Sequence, residues 1–365
     1  MAARVTWVEA RDFRNHPGTR LDLGEGLTAV VGPNGEGKTN LLEAIFYLCA
    51  LESPRVASDE PLVRRGAAAA YLRGELEASG ATALVEVEIR PSGANRVQVN
   101  RSPVRRRRDV RRIVRAVFAG PDDLEIVAGE PGARRRFLDE AVRILWPARE
   151  GVITAYDRAL RQRNRLLKDW DGWGTPRGLE AWDGELAAHG AALTAARSEA
   201  AGRIAIPAAR AFEALSGGPS EPLTLTVEYR PSVSGDSLEA AFLARLDERR
   251  GDELVRRTTL VGPHRDDLAL AVAGLSARGF ASHGEASGAA LCLRLGLASA
   301  VREELGEPPP ILLDDPFSGL DPARRRRVAE SLGSWGQLVI AVPDEAQVPE
   351  GAEVVRVRGG AVVGG

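Results

Sequence analysis

Lysine is almost absent from this chain of 365 residues: of 49 basic residues only Lys38 and Lys168 are lysines, and the rest are arginines. Cysteine is as scarce. Cys49 and Cys292 stand far apart within apolar helical patterns, which excludes a disulfide framework or clustered thiolate site and suits reduced core residues. No apolar run approaches the roughly 20 residues of a membrane-spanning helix. The N-terminal stretch Arg4-Val5-Thr6-Trp7-Val8 alternates like a strand and lacks the apolar segment of a signal peptide. The expected setting is therefore cytoplasmic, with no membrane partner. A net charge of −2 leaves no overall excess of positive charge, so any nucleic-acid surface must be a local patch. The arginine bias is also what a GC-rich genome produces, which weakens arguments from arginine counts alone. With 44% hydrophobic residues the chain can bury a full core, and its length suits two domains or one large domain with an insertion.

One of the two lysines sits where chemistry demands an ammonium. Gly32-Pro33-Asn34-Gly35-Glu36-Gly37-Lys38-Thr39 fits the phosphate-loop pattern GxxxxGK[ST], preceded by the apolar run Leu27 to Val31, which reads as a buried strand. Glycines let successive backbone N–H groups curl around a polyphosphate. Lys38 is placed to reach the outer phosphates and the Thr39 hydroxyl to ligate Mg²⁺. Asn40 to Ile45 continues as a helix whose positive end faces the anion. ATP and Mg²⁺ are the expected cofactors.

The second half of such a site lies far down the chain. Ile311-Leu312-Leu313-Asp314-Asp315 reads as a Walker B strand and Pro316 to Asp321 as a D-loop. Asp314 is the metal-side carboxylate, and Asp315 stands where a general base polarises water. Upstream, Ser282-His283-Gly284-Glu285 opens a helix that reads as amphipathic, and it resembles the signature motif of ABC-type ATPases. A Ser-x-Gly turn at a helix start offers a hydroxyl and free N–H groups to a γ-phosphate. In ABC-type folds that phosphate is bound to the opposing subunit, which implies a homodimer held by ATP.

About 240 residues separate Lys38 from Ser282, more than transporter ATPase subunits allow and less than long coiled-coil proteins need. Helix-period spacing covers Arg134 to Leu145, Ile153 to Trp170 and Leu179 to Leu215. Breaks are expected near Asp171 to Pro176 and Ser216 to Pro219, and no heptads are sustained. The expected division is an N-terminal head segment over 1–130, a mainly helical lobe over 131–254 and a C-terminal head segment over 255–365. Trp146, Trp170, Trp173 and Trp182 read as the aromatic core of that lobe, with stacking on bases as the alternative.

These residues, taken in order, resemble the RecF family of recombination and DNA-gap-repair ATPases. The resemblance runs through Asp12-Phe13-Arg14-Asn15, the phosphate loop, Ser53-Pro54-Arg55, Pro121-Asp122-Asp123-Leu124, Phe137-Leu138-Asp139, Gln162 to Lys168 and Val261-Gly262-Pro263-His264-Arg265-Asp266-Asp267. It implies that Arg14 and Asn15 lie beside the nucleotide, with an exposed strand-end arginine as the plain alternative for Arg14. It places Pro121-Asp122-Asp123 at the Q-loop, with a helix or turn cap as the alternative. Glu130, Gly319, Glu285 and the pair Ala286-Ser287 depart from the family pattern, mostly in the trans-acting half. The stretch from Gln337 to Pro343 carries no switch histidine.

Arg101, Arg105, Arg106, Arg107, Arg108, Arg111, Arg112 and Arg115 fall within fifteen residues and form a candidate DNA-phosphate surface. Arg161, Arg163, Arg165 and Lys168 form a second set, and Arg324 to Arg327 a third. Solvated helix faces remain the alternative for each. The sequence thus predicts an α/β fold, an ABC-type ATPase head with a P-loop core sheet and an inserted helical lobe. Resemblance implies a weak ATPase acting as a switch, which binds single-strand/double-strand DNA junctions or duplex and assists RecA loading with RecR and RecO. The rival is an ATPase subunit energising a membrane transporter.

Overall fold

The computed structural model describes residues 2–216, 223–333 and 335–363. Strand β1 (Arg4–Phe13) turns through Arg14 and Asn15 into β2 (His16–Asp22), followed by β3 (Leu27–Val31) and α1 (Lys38–Ala50). Four antiparallel strands come next: β4 (Ala70–Ala78), β5 (Ala81–Ile89), β6 (Arg96–Val99) and β7 (Ser102–Pro103). They extend the first hairpin into a sheet of order β2-β1-β4-β5-β6-β7. On β5 the apolar side chains of Ala83, Val85, Val87 and Ile89 alternate inward, the period of two that a half-buried strand requires. Their buried face lies against α1, which is apolar all round because a second sheet covers its other side.

After α2 (Arg107–Arg111) and β8 (Val117–Ala119) the chain becomes helical, with α3 (Leu124–Ala128), α4 (Pro131–Leu145), α5 (Glu150–Lys168) and α6 (Leu179–Ser216). The three expected long helices are present, and the break at Asp171 to Pro176 separates α5 from α6. The second expected break extends over residues 217–219, outside the described residues. Strand β9 (Leu225–Arg230), helix α7 (Leu238–Arg256), strands β10 (Asp267–Val272) and β11 (Leu275–Ser276) and the short α8 (Ala277–Phe280) lead into α9 (His283–Leu305). β9 and β10 pair antiparallel, tying the segment before α7 to the segment after it.

The chain ends with β12 (Ile311–Asp314), α10 (Pro322–Leu332), β13 (Leu338–Val342), β14 (Glu353–Arg358) and β15 (Ala361–Val363). These strands build the core sheet, of order β15-β14-β3-β13-β12-β8. β3 lies between β13 and β14 and is parallel to both, with Ala29 opposite Ile340 and Val354. The two ends of the chain therefore interleave in one sheet, and the phosphate loop leaves from a central strand at its carboxyl end.

Three expectations need correction. α9 is not amphipathic: from Ala286 to Val301 nearly every residue is buried, because α6 covers one side and α3, α4 and β8 another. Trp173 is 85% exposed and belongs to no core, whereas Trp146 is buried in the lobe and Trp182 packs against it. Arg163 is 0% exposed. It donates to Asp183 at 2.7 Å, Glu253 at 2.6 Å and Thr259 at 2.9 Å, so it clamps α5, α6 and α7 rather than joining a basic surface.

Candidate nucleotide site

The loop from Gly32 to Gly37 runs from the end of β3 to the start of α1. Gly37 occupies the N-cap with φ 111°, a left-handed conformation, and it has no side chain with which to cap the helix. The first-turn N–H groups of α1 are thereby left for an external anion. A Cβ on Gly37 would stand 2.8 Å from Asn15 Oδ1, so the close approach of the β1–β2 turn requires glycine here. Lys38 is 8% exposed, and its Nζ donates to the Pro33 carbonyl at 2.9 Å. Burial lowers its pKa, against the pull of Asp314, Asp315 and Glu36.

Thr39 Oγ1 donates to Asp314 Oδ1 at 2.9 Å. The hydroxyl and carboxylate expected to share a metal ion thus converge from opposite ends of the chain. Burial raises the pKa of Asp314, although the Thr39 hydroxyl, Arg55 and Lys38 favour its charged form. Among the described residues no group of three His, Cys, Asp or Glu side chains could hold a metal. The Thr39 hydroxyl and the Asp314 carboxylate fit Mg²⁺, which takes one or two protein oxygens and completes its shell with phosphates and water. Asp315 follows with φ 50°, its N–H donating to Ala341 at 3.0 Å. The turn points its chain away from the strand line and into the D-loop.

Asn15 accepts from the Asn40 amide at 2.8 Å and donates to Gly35 at 3.4 Å, so both asparagines rim the loop. Arg14 is held differently: its guanidinium grips the fully buried Glu43 of α1 at 2.8 and 2.7 Å. Ser53 donates to the same carboxylate at 2.5 Å. Arg55, quoted in the family resemblance without a role, donates to Asn40 Oδ1 at 3.0 Å and lies 3.4 Å from Glu43. Sequence reasoning gave it no place in the site. The signal available was its position five residues beyond α1, close enough for a loop to fold back.

Ser282 caps α9: its Oγ accepts from Glu285 N–H at 3.3 Å, and Glu285 Oε2 accepts from Ser282 N–H at 2.7 Å. Glu285 thus completes a capping box, and the Ser282 backbone holds its pKa below the usual carboxylate range. The D-loop lies directly against this turn. Gly319 has φ 71°, and a Cβ there would stand 2.9 Å from the His283 ring, while a Cβ on Gly284 would stand 3.0 Å from the Gly319 carbonyl. Two departures from the family pattern therefore have local causes, and a third, Glu130, pairs with Arg278. His283 and Ser287 share a cavity of about 180 Å³ with Pro121, Asp314 and Asp315. Ser282 hydrogen-bonds within the first turn of α9, to Glu285 and Ala286, and a Cβ on Gly284 would also stand 3.2 Å from Arg324.

At the Q-loop position, Asp123 accepts the Gly120 N–H at 3.0 Å, which is the cap reading. It also pairs at 2.6 Å with Arg294 of α9, which reaches Glu140 at 2.7 Å. Burial opposes the charge on Arg294, but Asp123 and Glu140 outweigh it and raise its pKa. Asp122 is exposed.

The basic run divides. Arg105, Arg106, Arg107 and Arg112 are exposed and Arg108 is partly so. Arg111 is 3% exposed and bound to Glu52 at 2.8 Å and Glu150 at 2.9 Å, so its charge is neutralised inside the protein. Arg106 and Arg108, with Arg158 and Trp182, line an open groove of about 1030 Å³.

Over residues 4–360 the chain matches the RecF/RecN/SMC N-terminal domain family. It is 42% identical over 391 residues to the DNA replication and repair protein RecF of Kineococcus radiotolerans, with 99% of each chain covered. It is also 42% identical to RecF of Streptomyces avermitilis, with 94% of this chain and 95% of that one covered. The structure of the recombination mediator protein RecF-ATPrS in the RecFOR pathway is similar with a TM-score of 0.88 at 27% identity, covering 99% of this chain and 98% of that one. The Smc head domain of Pyrococcus furiosus shares the fold, with a TM-score of 0.57 at 15% identity over 99% of this chain and 95% of that one. The mixed α/β fold with its parallel sheet is that of the ABC-type ATPase head.

Proposed function

Since this chain belongs to the RecF family of DNA replication and repair proteins, we propose that it is an ATP-switched DNA-binding protein of recombinational repair. The observation that carries the reading is the contact of Thr39 with Asp314, which joins the phosphate loop to the Walker B strand. Residues Gly32 to Asn40 would hold the triphosphate, with Asn15 at the rim and Arg14 acting through Glu43. Thr39 and Asp314 would hold Mg²⁺, which when bound supplies charge neutralisation to the phosphates. Asp315 is the general base. Its carboxylate is one methylene shorter than the glutamate usual in transporter ATPases, so hydrolysis is slow and resets the switch.

The active form is a homodimer in which Ser282 and Gly284 of one copy face the γ-phosphate held by the other. The position of Ser282 at the N-terminus of α9, where a helix end offers N–H groups to an anion, supports this. The parts are a head built from 1–130 and 255–365, and a lobe from 131–254. The exposed arginines from Arg105 to Arg112 bind DNA phosphates, at single-strand/double-strand junctions or duplex, and the pathway partners are RecR and RecO with RecA. Equilibrium DNA binding with and without ATP, paired with a DNA-stimulated ATPase assay, tests the reading. ATP-dependent binding to gapped DNA is expected, and DNA affinity indifferent to ATP would contradict it.

A further inference from the structure

His16, the first residue of β2, is 0% exposed and lies behind the phosphate loop. Its Nε2 is 3.0 Å from the Gly37 carbonyl, and its Nδ1 is 2.7 Å from the Gly360 carbonyl in the turn between β14 and β15. Both neighbours are acceptors. A neutral imidazole carries one N–H and can satisfy only one of them, leaving a lone pair against the other carbonyl, whereas the protonated ring donates to both.

The same turn grips the loop elsewhere. Gly360 N–H donates to the Glu36 carbonyl at 3.0 Å, and Gly359 N–H donates to the Glu36 carboxylate. The loop is therefore strapped from behind by two turns, Arg14-Asn15 and Gly359-Gly360, with the His16 ring between them. Three charged groups of the flanking turn and loop are engaged elsewhere: Arg14 on Glu43, Glu36 on Gly359 and Lys38 on Pro33. Burial lowers the pKa of His16, and the two carbonyls act in the opposite direction.

We propose that His16 is a positioning residue of the nucleotide site, and that binding of a nucleoside di- or triphosphate is coupled to uptake of a proton by its ring. The inference rests on the nucleotide-site reading above. An anion drawn to the first-turn N–H groups beyond Gly37 favours a cation behind the loop, and the cation in turn fixes the Gly37 carbonyl. By linkage, each unit by which the nucleotide raises the ring's pKa makes binding about tenfold tighter at low pH than at high pH. The proton comes from solvent, and no bond other than N–H is made.

The test is titration calorimetry of MgADP binding in two buffers of different ionisation enthalpy, on the full chain and on His16→Gln. ADP has no γ-phosphate to engage a second copy, and its own titration is common to both proteins. Wild type should take up more protons than the variant, and the ratio of their affinities should rise as pH falls from about 8 to about 6. Equal proton uptake and a flat ratio overturn the proposal. If His16→Gln does not fold, ring-nitrogen NMR of the wild-type histidines decides: one buried ring's titration midpoint must rise with ADP, and four unmoved midpoints overturn the proposal. Absence of any nucleotide binding by wild type would instead overturn the nucleotide-site reading itself.

Discussion

The Thr39 hydroxyl meets the Asp314 carboxylate at 2.9 Å, although 275 positions of sequence separate them. This contact exists because β3, which leads into the phosphate loop, is inserted between C-terminal strands of one parallel sheet. Asp314→Asn keeps the shape and removes the charge. Nucleotide should then bind without Mg²⁺ about as before, while the gain in affinity from added Mg²⁺ is lost. Asp315→Asn should leave that gain intact and lower hydrolysis by about 10²- to 10⁴-fold, the usual contribution of a general base. Fluorescent-nucleotide titrations with and without Mg²⁺, beside steady-state ATPase rates, separate the two.

The arginines near α2 should divide by burial. Replacing Arg105, Arg106, Arg107 and Arg108 with glutamine is expected to weaken binding to every DNA sequence about equally and to flatten the dependence of log affinity on log salt, since phosphate contacts carry charge but no base code. Arg111→Gln should instead cost about 1–3 kcal/mol of stability, because Glu52 and Glu150 lose a buried charged partner. Its salt slope, measured below the melting temperature, should match wild type.

His264 provides a pH dependence of stability. Its Nδ1 faces the Tyr156 hydroxyl at 2.6 Å and its Nε2 the Thr259 carbonyl at 3.1 Å, and burial pushes its pKa down from 6.5 to about 4. The neutral ring satisfies both contacts. Because the folded pKa is depressed, the unfolded chain binds the proton first, so stability is full above pH 6.5 and is lost as pH falls toward 4, by about 3 kcal/mol in all. Denaturant unfolding should show this loss in wild type and a shallower one in His264→Gln.

Much of this was legible in the sequence because local chemistry announces it. The phosphate loop needs its glycines and lysine within eight residues, and Asp314-Asp315 closes an apolar strand. The helices α4 to α6 follow from apolar spacing. Arginine positions were harder to interpret. Arg163 and Arg165 are two residues apart on one helix, yet Arg163 is fully buried on Asp183 and Glu253 while Arg165 is exposed. The partners come from α6 and α7, and no local pattern points to them. The burial of α9 on all sides likewise depends on α6 and α4 closing around it. Glu285 and Gly319 depart from the family pattern; the capping box at Ser282 accounts for the first and the close approach of the D-loop to His283 for the second.

The central claim is that one nucleotide site is shared by two copies of the chain. Lys38→Ala removes the loop half, and Ser282→Arg blocks the signature half with bulk and charge, so each variant alone should be inactive. Mixed together, a heterodimer pairs the intact loop of one chain with the intact signature of the other and regains one of two sites. With random exchange half of the dimers are mixed, so ATP hydrolysis should recover to about a quarter of the wild-type rate if the sites fire independently. Hydrolysis by Ser282→Arg alone, or no recovery despite demonstrated subunit exchange, would contradict the shared site.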